Sequence, residues 1–146
     1  MKHVTIYTDG SCSGNPGPGG WGSILIYNGA EKVLSGGEKN TTNNRLELTA
    51  AIEALKALKE PCEVELYTDS KYLSDAVNLF WLRSWKNRGW KRKEGPLLNA
   101  ELWQELDSLL SAHRVKVIWV KGHAENNYNN RCDALAVAET EKIKKV

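Results

Sequence analysis

This sequence lacks the features that mark membrane-spanning, secreted and disulfide-rich proteins. No apolar run approaches the roughly 20 residues that a membrane-spanning helix needs, and the N-terminus lacks a signal-peptide core. Cysteine occurs only 3 times, at Cys12, Cys62 and Cys132, an odd set without metal-binding spacing. We therefore expect a cytoplasmic protein with no membrane partner and no disulfide framework.

Nucleotide-binding signatures are missing as well. The chain has no Gly-Lys-Ser/Thr sequence of a Walker motif. Residues 17–22 match the pattern G-x-G-x-x-G, but a strand pattern follows at 21–27, where a dinucleotide site needs a helix N-terminus. We interpret residues 10–20 as a glycine-rich loop, either a tight hairpin or backbone that comes close to a nucleic-acid groove.

Acidic residues are missing from one stretch of the chain. Residues 83–93 contain 6 basic side chains and no carboxylate, although the net charge of the whole chain is only +2. Such a run predicts a polyanionic partner and salt-dependent binding. The residues expected to bind it are Trp81, Trp85, Lys86, Arg88, Trp90 and Lys91.

The tryptophans of this stretch have an alternative explanation. Trp81 and Trp85 are one helical turn apart, a spacing that is equally typical of a pair packed in the core. Trp90 follows Gly89 in a turn pattern, and we expect it to be the most exposed aromatic residue of the stretch.

Hydrophobic periodicity predicts an α/β fold with a mixed sheet. Strand patterns cover residues 3–9, 21–27, 32–36, 64–69 and 115–120, and the pair Asn28 and Gly29 is a strong hairpin signal. Helical patterns cover residues 45–59, 71–88, 98–112 and 130–143, the second of them open to a break. The length suits a single domain over residues 1–146, and nothing indicates more than a monomer.

Two strand patterns end in nearly the same way. The sequences Ile6-Tyr7-Thr8-Asp9 and Leu66-Tyr67-Thr68-Asp69 each stop on an aspartate that a small residue follows. Neighbouring strands lie about 4.8 Å apart, and carboxylates that close repel each other unless a proton or cation lies between them. The repeat therefore predicts a divalent-metal site on the sheet. Taken alone, Asp9 could be a turn residue and Asp69 a helix N-cap.

Two further acids lie near predicted helix starts. Glu47 lies on the apolar stripe of its helix, which turns it toward the sheet, where an unpartnered carboxylate is costly. Its alternative is a capping box with Asn44 as the N-cap. Asp133 repeats the pattern on the last helix, where the alternative is a capping role beside Asn130.

Carboxylates are hard oxygen ligands, which suit Mg²⁺ or Mn²⁺ rather than zinc. Two such ions about 4 Å apart can activate a water and stabilise the leaving oxygen in phosphodiester hydrolysis. His123 follows the strand pattern 115–120 and precedes Asp133, which makes it a candidate proton carrier. The alternative is an ordinary loop histidine.

Six motifs, in this order, resemble those of the type 1 ribonuclease H family of bacteria, and the resemblance covers nearly the whole chain. They are Tyr-Thr-Asp-Gly-Ser-Cys-x-Gly-Asn-Pro-Gly-Pro-Gly-Gly at 7–20, Thr-Thr-Asn-Asn-Arg-x-Glu-Leu at 41–48, Thr-Asp-Ser at 68–70, Trp-Lys-x-Arg-Gly-Trp-Lys at 85–91, Trp-Val-Lys-Gly-His at 119–123 and Asn-x-Arg-Cys-Asp-x-Leu-Ala at 129–136. The resemblance implies a ribonuclease H-like fold, a five-stranded mixed β-sheet flanked by α-helices. It also implies an endonuclease that hydrolyses the RNA strand of RNA/DNA hybrids and leaves 5′-phosphate and 3′-hydroxyl ends.

The same resemblance implies a metal role for the four acids. Asp9, Glu47, Asp69 and Asp133 would bind two Mg²⁺ ions when substrate is present, with Mn²⁺ as a substitute. Asp9 would bridge both ions, Asp133 would help to hold the ion that activates water, and Glu47 and Asp69 would hold the other. His123 would assist proton transfer or product release.

The resemblance also implies where the hybrid binds. Thr42 would hold a phosphate of the DNA strand, and the segment 81–93 would grip that strand as a basic protrusion. The residues that would contact the minor groove, where the 2′-hydroxyl distinguishes RNA from DNA, are Cys12, Asn15, Asn43 and Asn44.

Two other functions stay open at this point. A module that binds hybrids without cutting them would gain nothing from a cluster of acids facing phosphates. A DNA-acting relative on the same sheet, such as a junction resolvase or an integrase core, would need the acids. The basic run and the paired asparagines at 43–44 favour the hybrid as substrate over DNA.

Overall fold

The structure is a computed structural model that describes residues 1–121 and 127–145. Its strands and helices are, in chain order, β1 (Lys2–Cys12), β2 (Gly17–Tyr27), β3 (Ala30–Thr41), α1 (Asn43–Lys56), β4 (Cys62–Thr68), α2 (Lys71–Asn78), α3 (Trp81–Asn87), β5 (Lys91–Arg92), β6 (Gly95–Pro96), α4 (Ala100–Ala112), β7 (Arg114–Trp119) and α5 (Asn127–Lys144).

A five-stranded sheet with the order β3-β2-β1-β4-β7 lies at the centre. β1, β2 and β3 pair antiparallel, whereas β4 pairs parallel to β1 and β7 pairs parallel to β4. Together with the helices, this arrangement confirms the predicted α/β fold with a mixed sheet. The parallel pairing of β1 with β4 places Tyr7 opposite Tyr67, so the two strands end at the same edge of the sheet.

The two faces of the sheet are covered by different helices. On one face Val4 and Ile6 of β1 pack in a core with Leu48 and Ile52 of α1 and with the fully buried Trp103 of α4. On the other face α5 packs across β1, β2 and β3. Side chains of a strand alternate between faces, so even-numbered residues of β1 face the core under α1 and odd-numbered ones face α5.

The hairpin between β2 and β3 is confirmed. Asn28 and Gly29 have φ angles of 49° and 81°, the left-handed conformations that a two-residue hairpin turn requires. The strands that flank it are longer than predicted, because the antiparallel ladder continues through the glycine-rich stretch as far as Cys12 opposite Gly19. The expectation that residues 10–20 form one loop is therefore wrong.

The break that the helical pattern over residues 71–88 left open occurs at Phe80, whose φ of 62° cannot continue a right-handed helix and which separates α2 from α3. The helix expected over residues 45–59 needs correction, because it begins and ends earlier, at Asn43 and Lys56. The small hairpin of β5 and β6 was not predicted, because two-residue strands carry no periodic signal. Among the described residues, no helix is long and apolar enough to cross a membrane.

Candidate active site

Three of the predicted acids meet at one edge of the sheet. Asp9 lies near the end of β1, Asp69 directly follows β4, and Glu47 projects from α1. One carboxylate oxygen of each lies within 4.8 Å of the others, and Asp9 and Glu47 are buried while Asp69 is half-buried. The structure therefore brings together the two aspartates of the Tyr-Thr-Asp repeat and the glutamate of the first long helix.

The depth of Glu47 depends on a close approach between α1 and β1. Thr42 caps α1, its Oγ1 accepting a hydrogen bond from Arg45 N at 3.2 Å, so the alternative of a capping box with Asn44 as N-cap is excluded. Glu47 is instead buried, and its Oε1 accepts a hydrogen bond from Gly10 N at 3.0 Å. A side chain at position 10 would meet Leu46 Cβ at 2.8 Å, so only glycine allows this approach.

Asp69 is not a helix cap either. Ser70 caps α2, its Oγ accepting a hydrogen bond from Leu73 N at 3.1 Å. The backbone of Asp69 is held from β7, because Trp119 Nε1 donates to its carbonyl oxygen at 3.1 Å. The carboxylate of Asp69 is thus free of capping and faces Asp9 and Glu47.

Asp133 reaches the same place from the opposite face of the sheet. It is half-buried on α5 and lines a cavity of about 480 Å³ together with Asp9, Glu47 and Asp69. Its oxygens lie outside the close triad. Helix α5 begins at Asn127, so Asn130 lies inside the helix and the alternative of a capping role for Asp133 beside it is excluded.

Burial and mutual repulsion hold protons on this cluster when no cation is present. Burial raises the pKa of Asp9 to about 7, and the neighbouring charges of Asp69 and Asp133 add to the rise. The pKa of Glu47 is raised well above its ordinary value, first by burial and then by Asp9 and Asp69. Both shifts mean that the ionised forms of these carboxyls are disfavoured where they meet.

The donor set fits a hard divalent cation. Glu47 Oε2 is buried, and no described residue provides it with a hydrogen bond. A buried carboxylate oxygen without a partner is costly in a folded protein, and a bound cation would remove that cost. Three clustered carboxylates supply oxygen ligands only, which suits Mg²⁺ or Mn²⁺.

Several predicted hybrid-binding residues surround the acids. Cys12, Asn43 and Asn44 line the same cavity, and Asn15 Oδ1 accepts a hydrogen bond from Asn43 N at 3.2 Å. The hydroxyl of Thr42, as the cap of α1, already accepts one hydrogen bond. His123 lies outside the described residues.

The basic segment, residues 81–93, forms α3 and the start of the small hairpin. Trp85 is half-buried with its ring centroid 5.2 Å from that of Trp103, as the core alternative predicted, whereas Trp81 is 44% exposed. The expectation for Trp90 is wrong, because its backbone N–H donates to the Trp85 carbonyl at 2.7 Å and its ring packs half-buried against the core. The most exposed tryptophan of the segment is therefore Trp81.

The cations of this segment differ in their surroundings. Arg88 and Lys91 are exposed, whereas Lys86 Nζ lies 2.9 Å from Asp107 Oδ2 of α4. Because Asp107 lies in another element, the sequence of the basic segment gave no sign of this ion pair.

The cavity is also lined by residues that the sequence did not single out as site residues, which are Gly10, Ser11, Ser70, Lys71 and Tyr72. Lys71 and Tyr72 begin α2, and only Ser70 separates them from Asp69. The sequence could have indicated them, because they follow closely after an aspartate at the end of a strand. Lys71 Nζ lies 4.7 Å from the ring centroid of Trp119, so this cation rests on an indole ring beside the carboxylates.

Buried carboxylates that meet at the edge of a mixed α/β sheet are the kind of site that metal-dependent phosphodiester hydrolases use. The comparisons with known proteins agree with this class. The model of the RNase H family matches residues 1–141. The chain therefore belongs to the RNase H family.

Similar proteins cover nearly the whole chain. It is 60% identical to the ribonuclease H of Acetivibrio thermocellus over 146 residues, 99% of each chain, and 58% identical to the ribonuclease HI of Brucella melitensis, covering 99% of this chain and 94% of the relative. Among solved structures, LC9-RNase H1, described as a type 1 RNase H with the type 2 active-site motif, superposes with a TM-score of 0.87 at 35% identity over 97% of this chain and 74% of its own. The RNase H domain of prototype foamy virus reaches 0.77 at 29% identity over 95% and 94% of the two chains. These matches confirm the predicted ribonuclease H-like fold.

Proposed function

We propose that this protein is an endonuclease that hydrolyses the RNA strand of RNA/DNA hybrids with divalent metal ions held by Asp9, Glu47, Asp69 and Asp133. Membership of the RNase H family supports this class of reaction. The observation that carries the proposal is the triad of carboxylates within 4.8 Å of one another, two of them buried. A protein that only bound hybrids would have no use for so costly a cluster.

We assign metal-binding roles to the four carboxylates according to where they lie. Asp9 belongs to the close triad with Glu47 and Asp69 and lines the same cavity as Asp133. Asp9 would therefore serve both with Glu47 and Asp69 and with Asp133 in holding the Mg²⁺ ions. Mg²⁺, or Mn²⁺ in its place, would supply an activated water and stabilise the leaving 3′ oxygen, which leaves 5′-phosphate and 3′-hydroxyl ends. We retain His123 as the candidate proton carrier, as the sequence predicts.

The residues beside the acids suit recognition of the hybrid. Cys12, Asn15, Asn43 and Asn44 place a thiol and three amides next to the carboxylates. Such groups donate and accept hydrogen bonds in a shallow minor groove, where the 2′-hydroxyls of RNA are displayed. Thr42 precedes this pair of asparagines, and we assign its hydroxyl and the start of α1 to a phosphate of the DNA strand.

The basic segment extends the binding surface. Arg88 and Lys91 are exposed cations suited to neutralise backbone phosphates, while Lys86 shares its charge with Asp107. Trp81 and Trp85 line an apolar cavity of about 220 Å³ together with the cation Arg92. We assign this surface, together with Trp90, to the DNA strand.

An Asp9→Asn variant tests the metal site. Asparagine keeps the size of the side chain and an oxygen that can accept the hydrogen bond now donated by Gly10 N at 2.9 Å, but it removes the charge. We expect cleavage of a hybrid in Mg²⁺ to fall by more than about a hundredfold while binding of the hybrid in EDTA stays within about threefold.

The matched control is Asp75→Asn on α2, since Asp75 is not among the described residues that line the cavity. This variant is expected to cleave like the wild type. Cleavage followed by gel and binding followed by fluorescence anisotropy measure the two quantities. Full activity of Asp9→Asn would contradict the metal assignment.

A further inference from the structure

The tyrosines of the Tyr-Thr-Asp repeat belong to a three-ring stack. Tyr7 of β1 and Tyr67 of β4 are register partners, with ring centroids 4.8 Å apart and an interplanar angle of 12°. Tyr128 of α5 lies on the other side of Tyr7, at 4.9 Å and 17°. The stack therefore joins two strands of the sheet to the first turn of α5.

Each ring of the stack belongs to a segment that carries a proposed metal ligand. Tyr7 is two residues before Asp9 in β1, so these two side chains share a face of the sheet. Tyr67 is two residues before Asp69, which directly follows β4. Tyr128 is five residues before Asp133 on α5. The stack thus links the segments of three of the four acids.

Further contacts fix the ring of Tyr128 to β3. Its hydroxyl donates to Glu31 Oε2 at 3.2 Å, and Arg131 Nη2 lies 2.8 Å from Glu31 Oε1. The guanidinium of Arg131 also lies 5.5 Å from the centre of the Tyr128 ring. Near the next turn of the helix, Cys132 Sγ donates to the Tyr7 carbonyl at 3.4 Å.

These contacts anchor the part of α5 that leads to Asp133. The first turn of a helix leaves backbone N–H groups without helical partners and frays easily when nothing packs on it. Stacked aromatic pairs contribute beyond the area they bury and have a defined geometry, which suits them to fix one element against another. Asp133 is five residues beyond Tyr128, about one and a half turns of α5, so movement of the first turn would change its distance from Asp9.

We propose that Tyr7, Tyr67 and Tyr128 form a positioning stack that sets the separation between Asp133 and the triad of Asp9, Glu47 and Asp69. The proposal rests on the proposed metal site and deepens it. Tyr128 is the positioning residue that matters most, because its ring carries the stack from Tyr7 of β1 to α5. It acts through Asp133 and does not itself touch the reacting groups.

Substitutions of Tyr128 separate the ring from the hydroxyl. Tyr128→Phe keeps the stack, whereas Tyr128→Leu and Tyr128→Ala remove it. The control is Tyr27→Ala, an exposed tyrosine at the end of β2 that is not in the stack. The readout is Mn²⁺ binding, measured by electron paramagnetic resonance on the protein bound to a hybrid whose RNA carries 2′-O-methyl groups and is not cleaved.

We expect Tyr128→Leu and Tyr128→Ala to weaken Mn²⁺ binding about tenfold, as loss of groups that orient metal ligands does, and Tyr128→Phe and Tyr27→Ala to stay within about twofold. In an Asp133→Asn background, Tyr128→Leu is expected to cause no further loss. A structural role alone would instead lower the melting temperature in EDTA without affecting Mn²⁺ binding.

Several results would overturn the proposal. They are wild-type Mn²⁺ binding by folded Tyr128→Leu, an equal loss with and without the carboxylate of Asp133, and failure of both Tyr128→Ala and Tyr128→Leu to fold. If the wild type itself binds no Mn²⁺ with the hybrid, the proposed function fails, which is a different outcome.

Discussion

At the level of single residues, the alternation of side chains along the strands and the helical stripe of α1 were sufficient to predict the carboxylates of the site. The Tyr-Thr-Asp repeat predicted that Asp9 and Asp69 would meet, because strands in the same phase deliver equivalent residues to one edge of a sheet. Glu47 was placed correctly by its helical stripe. Its depth was not predictable, because that depth depends on contact between Gly10 and Leu46, residues distant in the sequence.

The exposure of the tryptophans was less predictable. Trp90 was expected at the surface because it follows Gly89, yet it is half-buried. Its burial results from a backbone hydrogen bond to Trp85 and from the small hairpin beside it, which no periodic pattern announces. Local turn chemistry predicts backbone conformation better than it predicts which way a ring will pack.

The raised pKa of Asp9 predicts how stability depends on pH without metal. The group ionises near pH 3.8 when unfolded and near 7 when folded, so the folded state binds the proton more tightly. Stability from this group is therefore present below the unfolded pKa and is lost as pH rises through the folded pKa, and the raised pKa of Glu47 acts in the same direction.

We expect Asp9→Asn to be more stable than the wild type in EDTA at about pH 8, by on the order of 1–3 kcal/mol, and much less so at about pH 5. Urea unfolding at both pH values measures the difference. Saturating Mg²⁺ is expected to reverse the order at the higher pH, because only the wild type gains a full set of ligands. A wild type that is the more stable protein in EDTA at the higher pH would contradict the electrostatic account.

At the scale of the element, the approach of α1 to β1 builds the site. Two helices and two strands contribute the four acids, so their positions depend on how these elements pack. The hydrophobic periodicity of strands and helices predicted the fold class correctly. It did not predict the residues at which the strands and helices begin and end. The glycine-rich run became strand because its partners in β1 continue the ladder, and the helix over 71–88 broke at Phe80 because that residue adopts a left-handed conformation.

Gly10→Ala tests this packing. The added Cβ would lie 2.8 Å from Leu46 Cβ and 3.2 Å from Glu47 N, so α1 must move away from β1. We expect a loss of about 1–3 kcal/mol in the free energy of unfolding and weaker Mn²⁺ binding, measured by calorimetry.

A second glycine provides the control for that experiment. Gly29 has open space around it and a left-handed conformation that asparagine tolerates, so Gly29→Asn is expected to bind Mn²⁺ like the wild type. Unchanged metal binding by a folded Gly10→Ala protein would show that the approach of α1 does not position Glu47.

At the scale of the whole molecule, charge is divided between two surfaces. Four carboxylates line one cavity, and six cations lie in the basic segment, although the net charge is only +2. The run of cations was visible in the sequence, because its members are neighbours along the chain. The ion pair of Lys86 with Asp107 was not, because it joins residues of different elements.

The salt dependence of hybrid binding tests the basic surface. Each phosphate contact that is lost should lower the slope of log affinity against log salt by about 0.9. We expect Arg88→Ala to lower it by about that amount and Lys86→Ala by less, because Asp107 already neutralises part of the Lys86 charge. Anisotropy in EDTA over a range of KCl concentrations measures the slope, with the exposed Lys32→Ala of β3 as the control. Equal slopes for the wild type and Arg88→Ala would remove Arg88 from the substrate surface.

The central claim is that one acidic site cuts only the RNA of a hybrid and needs a divalent metal to do so. The most direct measurement compares cleavage of RNA/DNA, RNA/RNA and DNA/DNA duplexes of one sequence, each with Mg²⁺ and with EDTA. We predict cuts only in the RNA strand of the hybrid, with 5′-phosphate ends, and none in EDTA. Cleavage in EDTA, cleavage of the DNA duplex, or an intact hybrid in the presence of folded protein and Mg²⁺ or Mn²⁺ would contradict it.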